Sequence, residues 1–368
     1  VRPFRLMGCG RLHWPWPGPI AGGERLDSAA RRHPEDPLHP MIVVTGGAGF
    51  IGSNLVAALA ERGQSELVVV DALGTGDKWR NLAKHEVADI VHPTQLVPFL
   101  ERHRGKIDTI FHMGAISATT ERDADRIVES NLRLSLALWD WCARFGTRLI
   151  YASSAATYGD GTLGFDDDGS CEGLAELRPL NAYGWSKLAF DRRVARLVAS
   201  GGPAPSQWAG LKFFNVYGPN EGHKGDMQSV VAKTYPRAAA GEPAVLFRSH
   251  HPDYDDGGQS RDFVWVGDCV DVMLWLFDRP EVSGLFNCGS GKARSFADLT
   301  KAVFRALELE PRIEFVDTPV EIRDKYQYFT EASLDRLRAA GYAKPTTSLE
   351  DGITEYVRKY LHTEDPYR

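Results

Sequence analysis

Cysteine is scarce in this sequence and forms no pattern. The five cysteines, Cys9, Cys142, Cys171, Cys269 and Cys288, are odd in number, scattered, and include no C-x-x-C pair. That spacing excludes a disulfide framework and a zinc cluster, and it points to a reducing compartment. No apolar run approaches the ~20 residues that span a bilayer, and no internal repeat is visible. A basic surplus is missing as well. Lys and Arg number 43 against 49 Asp and Glu, a formal charge of −6, which announces neither a nucleic acid nor an anionic membrane as partner. At 43% hydrophobic and 25% charged, the 368 residues have a globular composition that excludes disorder and fibrous architecture for most of the chain. The expectation is a cytoplasmic globular protein with one large or two moderate domains.

The first 40 residues differ from the rest. They are rich in Pro, Gly and Arg, show neither helical nor strand periodicity, and lack the continuous apolar stretch of a secretory signal. A disordered arm, or an extension from an upstream start, is expected over 1–40; a Trp-containing segment docking on a partner subunit is the alternative. From Met41 strand and helix alternate. MIVVTG (41–46), ELVVVD (66–71), TIFHMG (109–114), RLIYASS (148–154) and LKFFNVYG (211–218) read as buried strands. Helices are expected over Ser53–Arg62, Ile127–Phe145 and Tyr183–Val198. Near-continuous Val/Ile runs, each followed by a helix, indicate a parallel sheet covered on both faces. The expected fold is α/β: a Rossmann-type doubly wound parallel sheet over 41–218, and a smaller, partly discontinuous lobe over 219–368. In that lobe SFADLTKAVFRALEL (295–309) carries apolar residues at helical spacing.

Gly46-Gly47-Ala48-Gly49-Phe50-Ile51-Gly52 sits between the first strand and the first helix. Glycines at 46, 49 and 52 permit a tight turn and let the backbone approach a pyrophosphate at a helix N-terminus. Asp71 ends the second strand about 20 residues later, where a ribose-binding acid belongs. A carboxylate there favours the free 2′-hydroxyl of NAD. Lys78, seven residues on, either neutralises the 2′-phosphate of NADP or is a solvated loop lysine.

Tyr183 and Lys187 stand at i and i+4, on one face of the expected helix. A phenol titrates near pH 10, too high for a base at neutral pH; an adjacent ammonium brings it down. Ser153 and Ser154 end the 148–154 strand and offer a hydroxyl to the reacting oxygen. Each signal alone is common. Together they describe an active site.

The glycine turn, SSAATYG (153–159), NAYGWSK (181–187) and FFNVYGP (213–219) resemble the extended short-chain dehydrogenase/reductases, many of which act on nucleotide sugars. Ala155-Ala156 follow the serines where 4,6-dehydratases of that group carry an Asp-Glu pair, so dehydration is not expected. VDALGTGDKWRNL (70–82), EGHKGDM (221–227), RDFVWVGD (261–268), FNCGSGKARSF (286–296), KYQYFTEASL (325–334) and LRAAGYAKP (337–345) are similar to segments of the ADP-glyceromanno-heptose 6-epimerases. The resemblance covers about Met41 to Tyr360.

That resemblance implies inversion of C6″ in ADP-D-glycero-β-D-manno-heptose through a transient ketone, by a tightly held cofactor, for assembly of the lipopolysaccharide inner core. Tyr183 and Lys224 are then the two acid/base residues, with Ser154 beside the reacting oxygen. Lys187 positions the nicotinamide ribose and lowers the Tyr183 pKa. Without the resemblance, Lys224 reads as a loop lysine or a contact to the substrate diphosphate. Cofactor contacts are implied at Gly46, Gly49, Phe50, Ile51, Gly52, Asp71, Ala72, Lys78, Met113, Gly114, Ala115, Ile116, Ser117, Asn131, Lys187 and Val216. The lysine at 78 tilts the choice to NADP over NAD, although Ala72 replaces the usual Asn. Substrate contacts are implied at Ser154, Asn215, Asp226, Lys233, Phe247, Arg248, Ser249, His250, Arg261 and Tyr326, Asp226 being a departure from the small residue usual there. A homo-oligomer is also implied, with a homopentamer as one form.

His250 and His251, among Asp253, Asp255 and Asp256, lack metal-ligand spacing and read as a solvated loop. No metal is expected. Two other functions remain open: a C4-epimerase or reductase of the same fold, which has no need of Lys224, and a non-catalytic cofactor sensor, which has no need of Ser, Tyr and Lys together.

Overall fold

The computed structural model describes residues 40–323 and 327–368. The arm expected over 1–40 therefore lies outside the described residues save for its last position, and so does Tyr326. Strands β1 (Met41–Thr45), β2 (Leu67–Val70), β3 (Asp89–Val91), β4 (Ile107–His112), β5 (Arg148–Ser154) and β6 (Trp208–Phe213) are followed by β7 (Asn215–Tyr217), β8 (Ala244–Phe247), β9 (Ser260–Trp265), β10 (Gly284–Cys288), β11 (Ala293–Ser295) and β12 (Ile313–Val316).

Seven of these form one parallel sheet in the order β10-β6-β5-β4-β1-β2-β3. This is the expected doubly wound Rossmann-type arrangement. The central strands carry Val43, Val44, Ile110, Phe111 and Ile150, which are fully buried; two-sided burial is why these runs do not alternate with polar residues. Chain order reverses beside β1, between β4 and β2, and the crevice beyond their carboxyl ends is where such sheets bind ligands.

Two local departures matter for the site. The single helix expected over 127–145 is an α-helical turn at Ala124–Ile127, a π-helical turn at Val128–Arg133, and an α-helix at Leu134–Phe145. The wider turn carries Asn131, whose amide it directs at a neighbouring loop. The single strand expected over 211–218 is two strands. β6 stays in the main sheet, whereas β7 leaves it to pair with β9, Asn215 opposite Phe263. An unbroken apolar run shows burial but not a change of partner, so the sequence pattern conceals this switch.

β7, β9 and β11 make a small sheet, and β8 pairs with β12. Around them a second apolar core gathers Tyr217, Val231, Trp265, Leu299, Val303, Phe304 and Ile353, together with Phe50 from the head of the first helix. The amphipathic stretch near 295–309 is the helix Phe296–Ala306, opened by a capping box between Ser295 and Asp298. Among the described residues no helix is long and apolar enough to cross a membrane.

Candidate active site

The glycine turn is built so tightly that a side chain is excluded at Gly46 and at Gly52. Gly46 has φ of +67°, and a Cβ there would stand 2.6 Å from the Gly114 backbone. A Cβ on Gly52 would come within 2.1 Å of the Gly46 carbonyl oxygen. The turn hands the chain to the helix Phe50–Glu61, whose N-cap is Gly49 and whose first turn no side chain caps. Bare backbone at a helix N-terminus fits an anionic diphosphate.

Asp71 lies at the far side of this turn, nearly buried. Its Oδ2 accepts from the Ala48 amide at 2.9 Å, and Lys78 Nζ donates to its Oδ1 at 2.5 Å. The expected acid is therefore present, and the expected cation is already paired to it. Ala72 contributes only its carbonyl, which accepts from Lys78 at 3.3 Å.

The 113–117 segment follows β4 and faces the turn. Gly114 N donates to Thr45 Oγ1 at 3.2 Å. Asn131 grips Ile116 from both sides: its Oδ1 accepts from the Ile116 amide at 2.8 Å and its Nδ2 donates to the Ile116 carbonyl at 3.0 Å. Asn131 and Ile116 thus shape the cleft from behind it, while Met113, Gly114, Ala115 and Ser117 line it.

Tyr183 and Lys187 lie on the helix Ala182–Ala199, capped by the Asn181 side chain on the Gly184 amide. Their i, i+4 spacing brings both to the cleft, beside Ser154 at the end of β5. Ser154 hydrogen-bonds Tyr183. Burial nevertheless raises the phenol's pKa, and Asp191 adds to the rise, against the Ser154 contribution. Lys187, expected to lower this pKa, is not among the groups that shift it. In the structure Lys187 Nζ donates instead to the Ala152 carbonyl at 2.8 Å, and burial brings its own pKa down to about 8.

Lys224 reaches the same cleft from the other end. Its loop is pinned to the first helix, with Asn54 Nδ2 donating to Pro219 O at 3.0 Å and Asn220 Nδ2 to Ser53 Oγ at 3.0 Å. Glu221 anchors it further by accepting from Ser229 N at 2.5 Å and from Tyr356 OH at 3.1 Å. Lys224 Nζ ends 5.0 Å from the Phe50 ring centroid. Burial lowers its pKa, partly offset by Glu221.

One cleft therefore collects Gly46, Gly49, Phe50, Ile51, Gly52, Asp71, Lys78, Ser154, Tyr183, Lys187, Val216 and Lys224. The expected substrate residues are more dispersed. Lys233 and Phe247 line a separate hollow with Val230, Arg237 and Phe296. Lys233 Nζ donates to the Asp226 carbonyl at 2.6 Å, tying those two expected residues together. Arg248 pairs with Asp256 and Asp317, Ser249 N donates to Asp256 Oδ1 at 2.8 Å, and His250 N donates to Tyr328 OH at 3.1 Å. Arg261 is buried, donates to the Ser260 and Gln327 carbonyls, and stacks over Phe296. Asn215 is exposed on β7.

Ser153, expected beside Ser154, also lines the cleft, as do Phe213, Phe214, Ala152 and His223, which sequence does not single out. The motif FFNVYG contains two of them, and only the fold shows that both Phe213 and Phe214 border the cleft. Burial, then Lys78 and Lys224, lowers the His223 pKa, and Asn81 contacts its Nδ1 at 3.2 Å.

Residues 42–289 match the model of the NAD dependent epimerase/dehydratase family. Over 331 residues the chain is 53% identical to an ADP-L-glycero-D-manno-heptose-6-epimerase of Nitratidesulfovibrio vulgaris, covering 89% of this chain and all of that one. The chain belongs to the ADP-L-glycero-D-manno-heptose-6-epimerases. The solved epimerase of that name from Helicobacter pylori superposes with a TM-score of 0.72 at 27% identity, over 88% of this chain and 97% of that one. A UDP-glucose 4-epimerase from Thermus thermophilus in complex with NAD is similar at a TM-score of 0.64 and 27% identity, over 85% and 96% of the two chains. Membership of this epimerase family makes the protein an enzyme, and its cofactor is a nicotinamide dinucleotide. The glycine cradle and Asp71 are the residues that fit it.

Proposed function

We propose that the protein inverts C6″ of ADP-D-glycero-β-D-manno-heptose to give the L-glycero epimer, supplying nucleotide-heptose for the lipopolysaccharide inner core. The observation that carries this reading is the meeting of Tyr183 and Lys224, from two different elements, in one cleft with the glycine turn. On this reading the hydroxyl proton is removed with the carbon presenting one face and returned with it presenting the other, a task divided between two groups. A single Tyr-Lys motif supplies one of these; Lys224 supplies the second. A nicotinamide dinucleotide held by the glycine turn and Asp71 would supply a reversible hydride acceptor for C6″, with no net redox change. Ser154 holds the reacting oxygen by a hydrogen bond, and Lys187 orients the ribose of the cofactor. Asn215, Lys233, Phe247 and Arg261 hold the ADP-sugar, with Arg261 suited to a diphosphate by its planar fork.

NADP is the cofactor on this reading. The Lys78–Asp71 contact at 2.5 Å offsets the carboxylate that would repel a 2′-phosphate. The enzyme works in the cytoplasm, in keeping with free thiols at Cys142, Cys171, Cys269 and Cys288, and as a homo-oligomer, which sedimentation tests. The function is tested by incubating the purified protein, with no cofactor added, with ADP-D-glycero-β-D-manno-heptose and following the C6″ epimers by NMR. A mixture of epimers is expected. No conversion, even with added NADP⁺, overturns the assignment.

A further inference from the structure

Below Ser153 and Ser154 lies a fully buried ion pair that the proposed reaction does not use. Asp191 extends the cleft-facing stripe of its helix: Tyr183, Lys187 and Asp191 stand at i, i+4 and i+8, on successive turns. The Asp191 carboxylate accepts from Ser153 Oγ at 2.6 Å and from Tyr151 OH at 3.2 Å. Opposite it, on β6, Lys212 Nζ stands 3.4 Å away, and neither side chain touches solvent. Lys212 pairs in register with Ser153. Its Nζ donates to Thr157 Oγ1 at 2.7 Å, and Thr157 donates to the Ser154 carbonyl at 2.8 Å. The ammonium also lies 4.7 Å from the Tyr158 ring centroid.

An unpaired buried charge is costly, and replacing such a pair by apolar residues is often neutral or stabilising, so stability alone is a weak reason for it. Its place suggests another. We propose that Lys212 is a positioning residue for this reaction: by balancing Asp191 at the base of the tyrosine stripe, it fixes the Ser153–Ser154 corner and governs how readily Tyr183 releases its proton. The inference rests on the epimerase reading for its chemistry.

The charged and titratable groups around the pair come from every side. Tyr183, Lys187 and Asp191 lie on the helix, Tyr151 on β5, Lys212 on β6 and Tyr158 after β5. His112 lies beyond Lys187 on β4, and Asp167, paired with Arg336, lies beyond Tyr158. Asp191 raises the proton affinity of Tyr183 and Lys187, while burial lowers that of Lys212 against the pull of Asp191 and Asp167. Removing the Lys212 charge leaves Asp191 uncompensated and makes the phenol harder to ionise; removing Asp191 does the reverse.

The test is the pH profile of epimerisation in Lys212→Met, Lys212→Arg, Asp191→Asn and the double variant. The acid limb is expected to move up by about one pH unit in K212M and down in D191N, and to return near wild type in K212R and in the double variant. Should K212M fail to fold, the downward shift of D191N against an unmoved double variant still decides it. Folded K212M or D191N proteins whose profiles coincide with wild type overturn the proposal and leave the pair merely structural. The tyrosinate absorbance difference between each protein and its Tyr183→Phe counterpart reads the same shift without turnover. An inactive wild type therefore sinks the epimerase reading while this inference is still decided.

Discussion

Lys224 Nζ lies 5.0 Å from the centroid of the Phe50 ring, at the N-terminal turn of the first helix. This contact puts a partly desolvated ammonium at the opening of the glycine cradle, in the same cleft as Tyr183. A cation over an aromatic face is held in place while its proton stays available. The arrangement separates the two proposed acid/base groups in the chain, by element and by chemistry.

Lys224→Ala should therefore abolish inversion without emptying the cofactor cleft. Loss of a general acid/base group costs about 100- to 10,000-fold in rate, and Tyr183→Phe should lose a similar factor. Turnover measured beside the cofactor content of the purified variants checks this. A K224A protein that still interconverts the epimers at wild-type rate would return Lys224 to the status of a loop lysine.

On the proposed reading, the Lys78–Asp71 pair sets the cofactor preference. Lys78→Ala leaves Asp71 facing the ribose alone, so NADP⁺ affinity should fall roughly tenfold or more while NAD⁺ affinity changes little. Fluorescence titration of both dinucleotides measures the ratio. An equal loss for both would place Lys78 outside 2′-phosphate recognition.

How much of this was legible in the sequence depended on chain separation. The glycine turn, Asp71 and the Tyr183–Lys187 pair sit within short stretches whose spacing maps directly onto one turn, one strand end or one helical face. The pairing of Lys78 with Asp71 was not legible, because spacing brings the two near without saying whether the lysine faces the ligand or the acid. Asn131 was expected at the cofactor; the π-helical turn that carries it directs its amide to Ile116 instead. Lys212 and Asp191 meet only because β6 runs beside β5 beneath the tyrosine helix, and nothing local in either segment marks that. Lys187 is expected to ease ionisation of Tyr183, but burial of the phenol and the Asp191 charge raise it, against the Ser154 hydrogen bond.

The cradle should tolerate no side chain at Gly46 or Gly52. Gly52→Ala puts a Cβ into the Gly46 carbonyl, where backbone rather than a flexible side chain must move. A cost of at least ~1–3 kcal/mol is expected from overpacking, with weakened cofactor retention. Urea denaturation of the variant checks the first, and its cofactor content the second.

His112 should make the fold acid-sensitive. It is wholly buried between Thr45 Oγ1 at 2.7 Å and Ser135 Oγ at 2.9 Å, and burial drives its pKa from 6.5 to about 3. Its folded-state pKa lies below the unfolded one, so between pH 6.5 and about 3 the unfolded chain binds the extra proton. The contribution of His112 to stability is full above pH 6.5 and drains away at about 1.4 kcal/mol per unit as pH falls through that window. His112→Gln should lose stability less steeply than wild type between pH 7 and 5. Denaturant midpoints at the two pH values measure it, and parallel slopes would contradict the assignment.

The central claim is that C6″ is inverted by removal and return of the same hydride, with Tyr183 and Lys224 handling only the hydroxyl proton. The most direct measurement uses ADP-D-glycero-β-D-manno-heptose deuterated at C6″, incubated in ordinary water and followed by NMR and mass spectrometry. The account predicts L-glycero product that keeps its deuterium at C6″. Inversion accompanied by exchange of that deuterium with solvent, or no inversion at all, would contradict it.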